Sequence, residues 1–306
     1  MKRSPVPATV FHAGEQKLQQ RLGTREKMAG IGQRVIRDYM PEQHRTFFTQ
    51  LRILLLGAVD QLGQPWALLL TGPTGFITSP DPQTLQIHSP NLAGPHPGGL
   101  SLTVGSRVGL LGLDFSNRRR NRANGIIHCR HGNRIDIAIS ESFGNCPKYI
   151  QARKGQPDAE HLIAGAVSRA DRLDDRDQQW IARADTFFIA STYPPGDHDS
   201  RAGVDISHRG GKPGFVEVID GTHMQFPDYA GNHFFNTLGN LTLYPSAGLL
   251  FIDFDNGDLL YLAAQASVQW HEEQQAHHVD LSIRQRIRIT GALPWQWQGP
   301  DYSPFL

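Results

Sequence analysis

The chain has 306 residues, with 30 Lys+Arg against 29 Asp+Glu and a net charge of +1. That length suits one large or two medium domains, and the charge balance leaves no global basic field to drive nucleic-acid or anionic-membrane binding. Two cysteines, Cys129 and Cys146, exclude a disulfide framework and a four-cysteine zinc site, while 31 glycines and 20 prolines favour a turn-rich fold over a helical bundle.

Residues 1–16 carry basic side chains without an apolar stretch, so no secretory leader is expected. The longest apolar runs, Ile53–Val59 and Trp66–Leu70, are too short to cross a bilayer. The expectation is a cytoplasmic protein with no membrane segment.

Residues 1–50 read as a helical extension, with helices over 14–22 and 25–39. Thr24 is the expected N-cap of the second, and Pro41 its stop. Residues 51–150 change to short apolar runs broken by Gly and Pro. Ile53–Val59, Pro65–Leu70, Gly75–Thr78, Leu85–His88 and Val108–Phe115 read as strands. Ile126–Cys129 and Ile135–Ser140 form an expected hairpin around His131-Gly132-Asn133. Residues 151–180 are polar and charged and read as a helical connector. Residues 181–306 return to strands: Thr186–Thr192, Val204–Ser207, Phe215–Ile219, Gly248–Phe254, and a last one carrying Val279, Leu281, Ile283, Ile287 and Ile289. Asn256-Gly257 predicts a type I′ turn.

The two strand-rich parts share a register. Gly75-Phe76-Ile77 recurs as Gly214-Phe215-Val216, and Gly109-Leu110-Leu111 as Gly248-Leu249-Leu250, both at an offset of 139 residues. Asp81 and Asp220, and Gln86 and Gln225, fall on the same offset. Two copies of one β domain, packed side by side, are expected.

Two segments of the second copy carry the polar chemistry. Asp205-Ile206-Ser207-His208-Arg209-Gly210-Gly211-Lys212 combines hydroxyl, imidazole, guanidinium and ammonium with glycines that admit an anion close to the backbone. Its composition fits a phosphate site or a solvated turn equally. In Phe226 to Leu241, Asn232, Asn236 and Asn240 recur every fourth residue, which on a helix places three amides on one face. Arg118-Arg119-Arg120-Asn121-Arg122 is the one dense basic run. A solvated turn is the usual meaning of such a run. Its position against the acidic turn Asp253–Asp258 of the other copy favours an interface role, across a homodimer or around a bound phosphate, over RNA binding. His271-Glu272-Glu273-Gln274-Gln275 fails as a zinc motif because Gln275 replaces the second histidine, so no metal site is expected. No catalytic triad or dyad is recognisable.

The chain resembles the pyridoxamine 5′-phosphate oxidase-like FMN-binding split-barrel proteins, and more closely their tandem-barrel branch, related to the leading part of flavin reductase–ferredoxin fusions. The strings that carry the resemblance are Phe11-His12-Ala13-Gly14-Glu15, Phe76 to Asp81, Arg118 to Gly125, Phe143 to Ile150, Asp205 to Gly211 and Asn232 to Leu241. The resemblance implies a mainly β fold of two tandem split barrels, each six-stranded, antiparallel and Greek-key, with N-terminal and connecting helices. It implies FMN as cofactor, with Ser207, His208 and Arg209 on the phosphate and Asn232, Asn236, Thr237 and Asn240 along the ribityl and phosphate region. The first copy has Leu68-Leu69-Leu70 at the register of Ser207-His208-Arg209, so one site built on the second copy is expected. The expected function is a flavin-dependent oxidoreductase with a small-molecule substrate. The alternatives are a non-enzymatic flavin carrier docking on a reductase or ferredoxin, and a protein that binds a phosphorylated ligand or RNA.

Overall fold

The computed structural model describes residues 9–92, 96–158, 165–193, 203–271 and 276–306. Glu272 to Gln275, part of the rejected zinc motif, lie outside the described residues, as do residues 1–8 of the N-terminal stretch. The chain is mainly β, with large antiparallel sheets preceded by helices.

Three helices come first: α1 (Ala13–Arg21), α2 (Arg25–Val35) and α3 (Glu42–Gln50). His12 caps α1 through a capping box with Glu15. Thr24 stands at the N-cap of α2 but makes no side-chain cap bond; its hydroxyl donates back to the Gln19 carbonyl instead. Helix α2 stops at Val35, four residues before the expected end, because Arg37 exchanges two backbone hydrogen bonds with Ser142 and is drawn into a β-bridge.

The first sheet is built from β1 (Ile53–Val59), β2 (Pro65–Thr71), β3 (Ile77–Thr78), β4 (Thr84–His88), β5 (Arg107–Asp114), β6 (Arg119–His131) and β7 (Arg134–Asn145). Its strand order is β2-β1-β5-β6-β7-β4-β3. Next come β8 (Ala152–Pro157), β9 (Val167–Ala170) and α4 (Asp175–Arg183). The expected helical connector is therefore two strands and one helix. Strand β8 pairs with the C-terminal strand β17 (Trp295–Asp301), and β9 joins the second sheet. Both are held by partners far away in sequence, which is why a local reading misses them.

The second sheet comprises β10 (Thr186–Tyr193), β11 (Gly203–Gly210), β12 (Glu217–Val218), β13 (His223–Asp228), β14 (Ser246–Ile252), β15 (Leu259–His271) and β16 (Ala276–Ile289), with α5 (Asn236–Leu243) between β13 and β14. Its order, β11-β10-β14-β15-β16-β13-β12, repeats that of the first sheet strand for strand. Each sheet thus follows a seven-strand path rather than six, and β9 adds an eighth strand to the second. The registers also match. Gly57 pairs with Ala67 and Gly109 in the first sheet, and Ala190 pairs with Ile206 and Gly248 in the second. Both sheets place a β-bulge at the same point, after Asn124 and after Ala263. The Asp253–Asp258 turn is not type I′: of Asn256 and Gly257, only Gly257 has positive φ, and Asp253 caps the turn through the Asp255 and Asn256 amides.

The sheets pack on each other through β1, β2 and β5 of the first and β10, β11 and β14 of the second. Burial of apolar faces drives this contact. One continuous core runs from Leu54, Leu68 and Leu110 into Phe188, Ile206 and Leu250.

Candidate functional site

Where β6 of the first sheet meets β11 at the edge of the second, a cavity of about 510 Å³ opens, within the range of small-molecule sites. Its cationic end is shared between the sheets. Arg120 and Arg122 come from β6, with Lys148 from the segment after β7; Ser207, His208 and Arg209 come from β11.

The arginine run is thus not a turn. Arg118 alone precedes β6, and Arg119 to Arg122 lie within it. By strand pairing, Arg120 and Arg122 correspond to Leu259 and Tyr261, so the run overlaps the acidic turn of the other copy only at its end, Gly257 and Asp258. Each arginine is engaged within the chain. Arg118 binds Asp301 and the Ile150 carbonyl. Arg119 binds the Gln43 carbonyl and lies over Phe47. Arg122, buried, donates to Asp205 at 2.7 Å and to the Ser207 hydroxyl at 2.5 Å.

Arg120 differs from the others. It donates to the Cys146 carbonyl at 2.9 Å and meets His208 Nδ1 at 3.3 Å, with no carboxylate partner among the described residues. Burial, with Arg209 and Arg122 beside it, pulls its pKa down to about 10, still charged at neutral pH. A guanidinium can only donate, so His208 Nδ1 accepts, and its Nε2 carries the proton. That Nε2 is buried without a hydrogen-bond partner. Burial and the neighbouring arginines hold His208 well below its ordinary pKa, hence neutral. A buried, unpaired positive charge next to an unused N–H donor is costly in a closed protein. An anion offsets both.

Tyr149, Tyr229, His233 and Phe235 also line the cavity. Tyr149, His233 and Phe235 hold positive φ of 67°, 60° and 64°. Such backbone is strained for non-glycine residues and clusters at functional sites.

Six of the seven residues singled out from the sequence, Ser207, His208, Arg209, Asn232, Asn236 and Thr237, line this cavity. Thr237 donates to the Ser207 hydroxyl at 2.8 Å. Asn232 precedes α5, so the three asparagines do not share a helix face. Asn240 faces a separate cavity of about 90 Å³ and donates to Ser191 and Asp205. Asn236 reaches both cavities and donates to Glu15 at 2.6 Å. This fixes α1 on α5, where Gly14 and Gly239 touch so closely that either could take no Cβ. Sequence reading missed Asp228 and His277, two residues on neighbouring strands of the second sheet.

The same position on the first-sheet side is closed. Trp66, Leu68, Leu69 and Leu70 stand in register with Asp205, Ser207, His208 and Arg209, and Leu259 and Tyr261 with Arg120 and Arg122. All six are buried in one apolar cluster. Burial pushes the Tyr261 phenol well above its ordinary pKa.

No family model and no curated protein matches the chain. Several solved structures show partial likeness, among them the following three. A protein from Lactobacillus delbrueckii provisionally named a pyridoxamine 5′-phosphate oxidase has TM-score 0.30 and 16% identity, covering 39% of this chain and 94% of that one. A protein of the same provisional name from Corynebacterium glutamicum has TM-score 0.27 and 10% identity, covering 41% and 94%. HupZ of Group A Streptococcus has TM-score 0.28 and 10% identity, covering 34% and 93%. Each of these three spans well under half of this chain.

Proposed function

We propose that the chain binds FMN in the inter-sheet cavity and acts as an FMN-dependent oxidoreductase. The observation that carries this reading is Arg120, a buried cation with no carboxylate partner among the described residues, facing a cavity next to the unused Nε2–H of His208. The residues present fit a phosphomonoester. Arg120, Arg209 and Lys148 supply charge, His208 a fixed N–H, and Ser207 and Thr237 hydroxyls. The aromatic lining suits a planar ring. A bound flavin would supply the one- and two-electron chemistry, and the protein its binding and orientation.

The test is an absorbance titration of the purified protein with FMN and with riboflavin. FMN should bind and shift its spectrum, and riboflavin, without the phosphate, should bind far more weakly. Equal affinities for the two would remove the phosphate role from this cationic end, and no spectral change with FMN would sink the reading. Turnover of a nicotinamide donor with an electron acceptor then separates an enzyme from an electron carrier.

A further inference from the structure

The cavity has a second polar device, unlike the first. Asp228, at the end of β13, lies across the sheet from His277 at the start of β16. Asp228 Oδ2 contacts His277 Nε2 at 2.8 Å, while its Oδ1 contacts Arg209 at 3.2 Å. Burial pushes the Asp228 carboxyl up, but Arg209 and His277 outweigh it and hold it below the usual carboxylate range. Asp228 is therefore ionised and can only accept, so His277 Nε2 carries a proton. The other nitrogen, His277 Nδ1, is buried with no hydrogen-bond partner, on a ring that lines the cavity. The ring itself is held in place by Trp270, stacked at 5.0 Å and 10°.

Arg209 shares the Asp228 carboxylate, and His277 turns its Nε2 to it. Nδ1 is therefore the ring nitrogen left to meet a ligand, and in an imidazole whose one proton sits on Nε2 it accepts. His208 and His277 thus line one cavity in the same Nε2–H tautomer but leave different nitrogens unpartnered, the donor Nε2 on His208 and the acceptor Nδ1 on His277.

We propose that His277, oriented by Asp228, is the acceptor that receives an N–H or O–H group of the cavity's ligand, whose anionic end sits on Arg120 and His208. The ligand class is a phosphorylated molecule with hydrogen-bond donors away from its phosphate. This rests on the flavin reading, with FMN as the probe: its ring N–H and ribityl hydroxyls are such donors. His277 acts here as a binding and positioning residue.

The experiment is 15N NMR of histidine-labelled protein, with His277 identified by its loss in His277→Phe, which keeps a ring against Trp270. In the free protein, Nε2 should be protonated and Nδ1 unprotonated. Saturation with FMN should move the Nδ1 resonance upfield, as expected for a nitrogen that accepts a hydrogen bond; a purely structural Asp228–His277 contact would leave it in place. His277→Phe should weaken FMN binding about tenfold, with a cooperative melting transition of the free protein showing that it is folded. A protonated Nδ1, free or bound, overturns the proposal. So does an unmoved Nδ1 when absorbance shows FMN bound, and this leaves the flavin reading standing. FMN that does not bind at all overturns both. If His277→Phe does not fold, the wild-type resonances, assigned instead through His277→Gln, decide.

Discussion

Gly109 and Gly248 hold the same position in the two sheets, and each rests against the backbone of the opposite sheet. A Cβ on Gly109 would collide with the Val204 carbonyl, and a Cβ on Gly248 with the Pro65 carbonyl. Val204 and Pro65 are themselves 139 residues apart, the same spacing as the glycines. The interface is therefore two-fold in its backbone, whatever its side chains.

From this contact, Gly109→Ala and Gly248→Ala should each destabilise by about 1–3 kcal/mol through overpacking. Because one core crosses the interface, both should lower the midpoint of a single transition in urea. A variant that unfolds in two separate steps would show that the sheets are independent.

Arg120→Gln should separate stability from binding. It removes a charge repelled by Arg122 and Arg209, so the ligand-free protein should melt at the same temperature or higher. FMN affinity should fall by about 1.5–3 kcal/mol, the worth of a charge-assisted hydrogen bond. Calorimetric melting and FMN titration of one preparation check both outcomes.

Arg122→Met should behave in the opposite way. It strands the buried Asp205 carboxylate without its 2.7 Å partner, close to Glu15 and Glu141. Loss of one member of a buried pair costs about 3–5 kcal/mol, read as a drop in the urea midpoint. Replacing Asp205 with Asn in the same chain should recover part of it.

The small cavity gives a pH signature. Burial, then Asp205, raise Glu141 to about 7, above its unfolded value of about 4.3. The folded state therefore holds a proton that the unfolded state has released. Glu141 contributes stability below about pH 4.3, and this is lost as the pH rises to about 7. Glu141→Gln should flatten the fall between about pH 4 and 7, by roughly 1–3 kcal/mol. Urea midpoints at several pH values test it, and parallel curves for variant and wild type would refute it.

FMN should bind once per chain. Trp66, Leu68, Leu69, Leu70, Leu259 and Tyr261 fill the equivalent position. Isothermal titration should give a stoichiometry near one.

The sequence made the sheet pairing legible and left the site half hidden, for one reason. Strand registers repeat locally, so Gly109 and Gly248 could be matched from short strings. Ser207, His208 and Arg209 stood together on one strand and were visible as a group. Arg120 and Arg122 read as part of a basic turn suited to an interface, across a homodimer or around a phosphate, and not as a buried strand, because what buries them is Asp205, Ser207 and His208, more than eighty residues further on and in the other sheet. Asp228 and His277 are single residues 49 positions apart, joined only by strand pairing. Asn240 carries the right chemistry, but α5 begins at Asn236 and turns it toward the smaller cavity.

Because β6 and β11 belong to one polypeptide, the wall between them does not form by association. A pocket built between separate subunits empties on dilution as the subunits part. Here its halves are tethered, and loss of the pocket requires unfolding. Occupancy should then depend on ligand concentration alone, from a few copies per cell to a concentrated solution, and a change in one half of the pocket need not be mirrored in the other.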